Sequence, residues 1–228
     1  MSAHEEWEAR LSRLEPAEWA AFLTEHSGLP GPRANLSLVD AVARCADAEV
    51  IGALLRDDGE YAVMCAAAAA AYRAGDPVYE ERARALAGDE RWRVREGVAI
   101  GLQLFGDTAP RRLAATVSRW ADDPDPLVKR AAVAAICEPR LLRSPEMAAV
   151  AVEVCASLTR WLAASAREGR SQPAGRTLRQ ALGYCWSVAV AADPEAGLAP
   201  FLALDTSDAD VRWIVDQNRR KKRLSRLL

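Results

Sequence analysis

Asp89-Glu90-Arg91-Trp92-Arg93-Val94-Arg95 and Asp123-Pro124-Asp125-Pro126-Leu127-Val128-Lys129 share one form, and that form decides the fold. Each sets an Asp ahead of a Val that is followed by a base. Each then runs into small apolar residues at helical spacing. Ser207-Asp208-Ala209-Asp210-Val211-Arg212 is a shorter version. An Asp in this place caps a helix, because its carboxylate accepts hydrogen bonds from N–H groups that have no partner inside the helix.

The same phase continues outward. Val63, Val94, Val128, Leu178 and Val211 are separated by 31, 34, 50 and 33 residues. Two helices per period of this length mark an α-solenoid. The gap of 50 implies one enlarged pair, with a long helix near Pro145–Arg167 and a polar loop at Glu168–Pro173. No segment reads as a strand, and the turns are rich in Gly, Pro and Asp. The spacing predicts outer helices near 16–26, 47–56, 78–87, 110–121, 146–166 and 195–204. It predicts inner helices near 36–45, 60–74, 91–105, 126–137, 175–191 and 209–221. A first helix, His4–Leu14, caps the open end, where a terminal repeat has no neighbour to cover it. The expected fold is all-α, a right-handed α-solenoid of about six helix pairs with an N-terminal capping helix. It forms a single domain over 1–228, with a basic tail at 218–228. Gly97 and Gly101 lie four apart on one helix face, where a neighbouring helix can approach closely.

The pattern Asp-x-x-x-x-Val-Arg resembles the HEAT repeat, sharply at 89–106, 123–137 and 207–220. The chain looks like the uncharacterised bacterial HEAT-like repeat proteins. The resemblance implies that Arg95, Lys129 and Arg212 form a ladder between neighbouring repeats, and that the inner helices line a concave face. More distantly, size and helix-pair architecture are similar to the HEAT-like alkylpurine DNA glycosylases. Those enzymes hold DNA in a basic groove and use Trp and a carboxylate to stabilise a cationic sugar. Their Trp-x-x-x-Asp helix is absent here; the nearest match is Trp92 with Glu96.

Composition narrows the chemistry. The only histidines are His4 and His26, which removes most Ser-His-Asp and Cys-His schemes and His-rich metal sites. No C-x-x-C pair occurs, and Asp122, Asp123 and Asp125 lack the Gly and Glu of a calcium loop, so they read as caps. Gly169–Thr177 has the wrong spacing and no Lys for a phosphate loop, and reads as a flexible connection. No cofactor and no metal are expected. Cys45, Cys65, Cys137, Cys155 and Cys185 are scattered and odd in number, as reduced core residues of a cytoplasmic protein are. No apolar run reads as long enough to cross a membrane, and the polar start lacks a signal-peptide core. Arg outnumbers Lys 27 to 3, which suggests a GC-rich genome.

Charge is uneven: residues 1–88 carry 15 acids and 8 bases, whereas 89–228 carry 17 acids and 22 bases. Arg91, Arg93, Arg111, Arg112, Arg119, Arg130, Arg140 and Arg143 are candidates for a basic stripe, and the last ten residues add six bases without an acid. Two residues beyond each phased Val or Leu stand Cys65, Glu96, Arg130, Gln180 and Trp213; one turn further come Ile100, Ala134, Tyr184 and Gln217. This row is expected to be exposed on the inner helices. The candidate partner-binding residues are Arg93, Glu96, Arg130, Gln180, Tyr184, Trp213, Gln217 and Arg220, and the catalytic candidates are Trp92 and Glu96. Three readings stand open: a non-catalytic module binding an unknown protein partner on its concave face, a DNA-binding or DNA-repair protein engaging nucleic acid through its basic face and tail, and a subunit or maturation factor of another enzyme. A membrane partner is not expected.

Overall fold

A computed structural model describes residues 3–228, with side chains from Glu5 onward; the side chain of His4 lies outside the described residues. The described chain is all-α and of the solenoid class, with no strand among the described residues. It divides into two compact units, residues 1–108 and 109–228.

In the first unit, α1 (Ala3–Leu11) precedes three helix pairs: α2 (Trp19–His26) with α3 (Leu36–Cys45), α4 (Ala48–Leu54) with α5 (Glu60–Tyr72), and α6 (Pro77–Ala87) with α7 (Trp92–Thr108). Helix α1 packs on α3, as a cap does, and the inner helices stack in the order α3, α5, α7. Asn35, Asp47 and Asp76 cap α3, α4 and α6 by accepting from Leu38, Val50 and Val78 N–H groups. Trp7, Phe22 and His26 form an aromatic cluster between α1 and α2, with Arg10 beside it.

Helix α5 is the centre of this unit. Every residue from Tyr61 to Ala71 is buried. A helix apolar all round belongs in a core, and the run Ala66–Ala71 makes it thin enough for α3, α4, α6 and α7 to pack against it. Across the α5–α7 contact, a Cβ built on Gly97 would stand 2.3 Å from the Met64 carbonyl oxygen; one on Gly101 would stand 2.2 Å from that of Ala68. The two backbones touch, as the Gly spacing anticipated. Arg73, just past the end of α5, donates to the carbonyls of Ala43 and Ala46, where α3 ends, and to that of Ala69. One guanidinium thus satisfies carbonyls that the ends of two neighbouring helices leave open.

The second unit repeats the plan with α8 (Pro110–Ala121) and α9 (Pro126–Ile136), α10 (Pro145–Ala164) and α12 (Pro173–Ala192), then α13 (Pro194–Leu202) and α14 (Ala209–Arg219). Inner helices stack in the order α9, α12, α14, and outer ones in the order α8, α10, α13. The observed starts at Glu60, Trp92, Pro126, Pro173 and Ala209 follow the phased residues closely. Asp125, Asp193 and Asp208 cap α9, α13 and α14. The core is anchored by Trp186, which is fully buried, donates from its indole to Thr159 Oγ1 at 2.9 Å and lies against Phe201. Asn218, also fully buried, donates from Nδ2 to the Leu182 carbonyl and accepts at Oδ1 from the Ser187 N–H, tying α14 to α12.

Three expectations need correction, and the basic tail gains a structure. The stretch expected as a flexible polar loop contains a short helix, α11 (Arg167–Ser171), because Arg170 Nη1 reaches Asp208 at 2.6 Å and Asp210 at 3.2 Å. The basic tail is folded: α15 (Lys222–Ser225) is pinned by the fully buried Leu224 and packs on α12. Cys65, Cys137, Cys155 and Cys185 are buried, but Cys45, at the end of α3, is exposed. Finally, α10 is 20 residues long with a mean hydropathy of 1.4 over its best window, long and apolar enough to cross a membrane. Ala, Val and Leu raise its hydropathy, yet only half of that window is buried, and Glu153 and Arg160 lie on its exposed face. It packs against α8, α9, α12 and α13 as a core helix does.

Candidate interaction surface

The ladder runs through different residues from those expected. Arg95 Nη1 donates to the Asp89 and Glu90 carbonyls, and Arg212 to the Thr206 and Ser207 carbonyls, so each secures the turn that leads into its own helix. Lys129 is 2% exposed; its ammonium donates to the Ala121 carbonyl at the end of α8 and sits over the Trp161 ring. Burial lowers its pKa, against the pull of Asp122 and Asp123. The reason for the difference is reach: a base after the phased Val points back along the chain, over its own turn.

The rungs between repeats come from other arginines. On α7, Arg93 Nη1 donates to Glu60 Oε2 of α5 at 2.9 Å, and its guanidinium lies 4.5 Å from the centre of the Trp92 ring. On α12, Arg179 Nη1 donates to Asp210 Oδ1 of α14 at 2.6 Å and lies 4.6 Å from the Trp213 ring. Both share a device: an Arg from one inner helix, a carboxylate from a neighbouring inner helix, and a Trp face against the guanidinium. Such pairing adds cation–π attraction to a charge-assisted hydrogen bond.

These contacts decide what each candidate offers. Trp92 is 53% exposed, although Arg93 covers one face of its ring. Glu96 and Arg130 are half-buried. Gln180 and Tyr184 are exposed on α12, four residues apart; Tyr184 is 44% exposed, and its hydroxyl accepts from Arg223 at 2.9 Å. Trp213 and Gln217 are only partly exposed, because both pack on Gly183 of α12, where an added Cβ would come within 2.7 Å of the indole. Arg220 is exposed. The expected row of exposed residues is therefore broken: Cys65 is wholly buried because α5 is enclosed, and Ile100 and Ala134 are half-buried. The structure thus brings together Gln180, Tyr184 and Arg223 at one place and Trp213, Gln217, Gly183 and Arg179 at another.

Much of the basic stripe is neutralised locally. Arg91 pairs with Asp89, Arg93 with Glu60, Arg111 with Glu146 and Arg140 with Glu138. The hydrogen bonds from Arg91 hold the Asp89 carboxyl below the usual carboxylate range. The bases of the C-terminal segment are different: Arg219, Arg220, Lys222 and Arg226 are exposed and meet no carboxylate among the described residues. Among the described residues, no three His, Cys, Asp or Glu side chains are grouped to hold a metal.

Helix pairs in register, inner helices bonded to inner helices by arginine, and Asp-capped turns define a helical-repeat protein. Residues 48–137 match the family of HEAT repeats, in keeping with the helix pairs and capped turns of that stretch. No curated protein and no solved structure matches the chain.

Proposed function

We propose that this protein is a non-catalytic interaction module that holds a protein partner on the face lined by its inner helices. HEAT repeats commonly serve protein–protein interaction. The observation that carries the reading is the exposure of large aromatic side chains on inner helices, each held in place by an arginine: Trp92 by Arg93 and Tyr184 by Arg223. Rigid aromatic side chains with a polar neighbour are the residue types that dominate binding at protein interfaces. The free cysteines support work in the reducing cytoplasm.

The DNA-repair alternative draws less support. Arginines that would form a basic groove are paired with carboxylates, and one face of Trp92 is taken by the protein's own guanidinium.

A photo-crosslinking amino acid at position 92 or 184, with position 78 on the outer helix α6 as control, tests the reading in cells. Val78 is 65% exposed, so access is equal or better there. The expected result is a protein adduct at 92 or 184 that is missing at 78, and loss of binding to the purified partner in Trp92→Ala or Tyr184→Ala. Adducts that form only at 78 would overturn the inner-face assignment.

A further inference from the structure

Three of the seven large apolar side chains left exposed among the described residues stand together at one place: Leu202, Leu227 and Leu228. With Leu198 they line an open hollow of about 400 Å³, and Arg219 stands at its edge. That volume lies within the range of sites that take an apolar group. The hollow is formed by α13 and by the chain that follows α15, within the second unit. It is held ready before any partner arrives, because the fully buried Leu224 and the Arg223–Tyr184 hydrogen bond anchor the segment to α12. Arg220, Lys222 and Arg226 of the same segment are exposed and meet no carboxylate among the described residues.

We infer that this hollow is the docking site of an acidic peptide segment of a partner protein, one that inserts a leucine or phenylalanine while its carboxylates meet Arg219, Arg220, Lys222 and Arg226. The inference rests on the interaction-module reading and adds, beside the inner-helix face, a contact on the outer helix α13 that gives the partner a chemistry. Charge complementarity sets the sign of the partner, since the last ten residues hold six bases and no acid. The apolar floor sets its second property. A nucleic-acid backbone has no group that gains by entering a leucine-lined recess, and the leucines line a concavity rather than a protruding wedge, which is the shape a lipid surface would need. Apolar patches rimmed by polar residues mark protein contacts, and Arg219 stands on the rim of this one.

The probes are fluorescent twelve-residue peptides of Glu and Asp around a central Leu-Phe pair, the same peptide with Ser-Ser at the centre, and a Lys version with Leu-Phe. Binding to the full chain is read by fluorescence polarisation at low and at physiological salt. The expected order is acidic Leu-Phe well above both others, with affinity falling roughly tenfold in Leu202→Ser and again in the Arg219→Glu, Arg220→Glu pair, as loss of an anchor residue does. Leu202 is 55% exposed, so Leu202→Ser should keep the parent's thermal midpoint, which a melting curve checks. Equal binding of the Ser-Ser peptide, or no loss in Leu202→Ser, overturns the proposal. So does preferential binding of phosphatidylserine vesicles or duplex DNA, or a concentration-dependent dimer in light scattering that Leu202→Ser abolishes. Crosslinks at position 92 or 184 with no peptide binding here would refute this site while leaving the interaction module standing.

Discussion

Replacing Gly101 by Ala puts a methyl where two helix backbones touch. The new Cβ would lie 2.2 Å from the Ala68 carbonyl oxygen, 2.9 Å from its carbon and 2.7 Å from the Ala71 Cβ. None of these atoms is the end of a flexible side chain. A carbon–oxygen contact settles near 3.3 Å or more, so the helices must separate by about 1 Å at this point. α5 is also packed against α3, α4 and α6, so it has nowhere to retreat. Overpacking of this kind costs about 1–3 kcal/mol, and the gain in helix propensity returns about 1 kcal/mol at most. Because the clash is with backbone, the upper end applies, and the net loss should be about 1–2 kcal/mol. For a chain of this size that lowers the melting temperature by roughly 2–8 °C. Gly169→Ala is the control, since a Cβ there meets nothing within 4 Å; it should match or slightly exceed the parent. Circular dichroism melts and urea titrations of the three proteins decide it. A Gly101→Ala protein as stable as Gly169→Ala would refute the close contact of α5 with α7.

Asn218→Leu keeps the branched shape but strips partners from the Ser187 N–H and the Leu182 carbonyl in a fully buried place; it should cost about 2–4 kcal/mol in urea unfolding, and a loss under about 0.5 kcal/mol would make the network incidental. Arg73→Ala should lower stability more than Arg95→Ala, because Arg73 joins two repeats whereas the carbonyls that Arg95 is seen to bind belong to its own turn; equal thermal midpoints would contradict that ranking. The stability that Asp89 contributes through Arg91 should be fully present above the usual carboxyl pKa and vanish as pH falls through its lowered folded value. The gap between parent and Arg91→Gln should accordingly be largest near neutrality and close in acid; a gap independent of pH would assign the loss to packing instead.

The order, type and starting points of the helices were legible in the chain because they are local. An Asp before the first turn, a Val in the next and small apolar residues at helical spacing act within a few residues; Asp125 and Asp208 cap helices as that grammar expects, whereas Asp89 and Asp123 accept from the Arg91 and Asp125 N–H groups in the turn ahead of the helix. The close pair Gly97 and Gly101 was legible for the same reason, since four residues make one helix face. Contacts between repeats were not legible. Which arginine bridges two helices depends on how each helix is rotated about its axis and how near its neighbour lies, and both follow from packing of the whole unit. That packing gave the rungs to Arg93 and Arg179 and turned Arg95 and Arg212 back on their own turns. It enclosed the alanine helix and so buried Cys65; it laid Trp213 on Gly183 and withdrew it from the exposed row. It also folded the basic tail, because Leu224 finds its apolar surroundings only where the tail meets α12, a contact some forty residues distant in sequence from Tyr184 and its neighbours. A side chain's local preferences decide whether its segment is a helix, whereas its exposure and its partners are set by residues that the chain brings close only when the repeats stack.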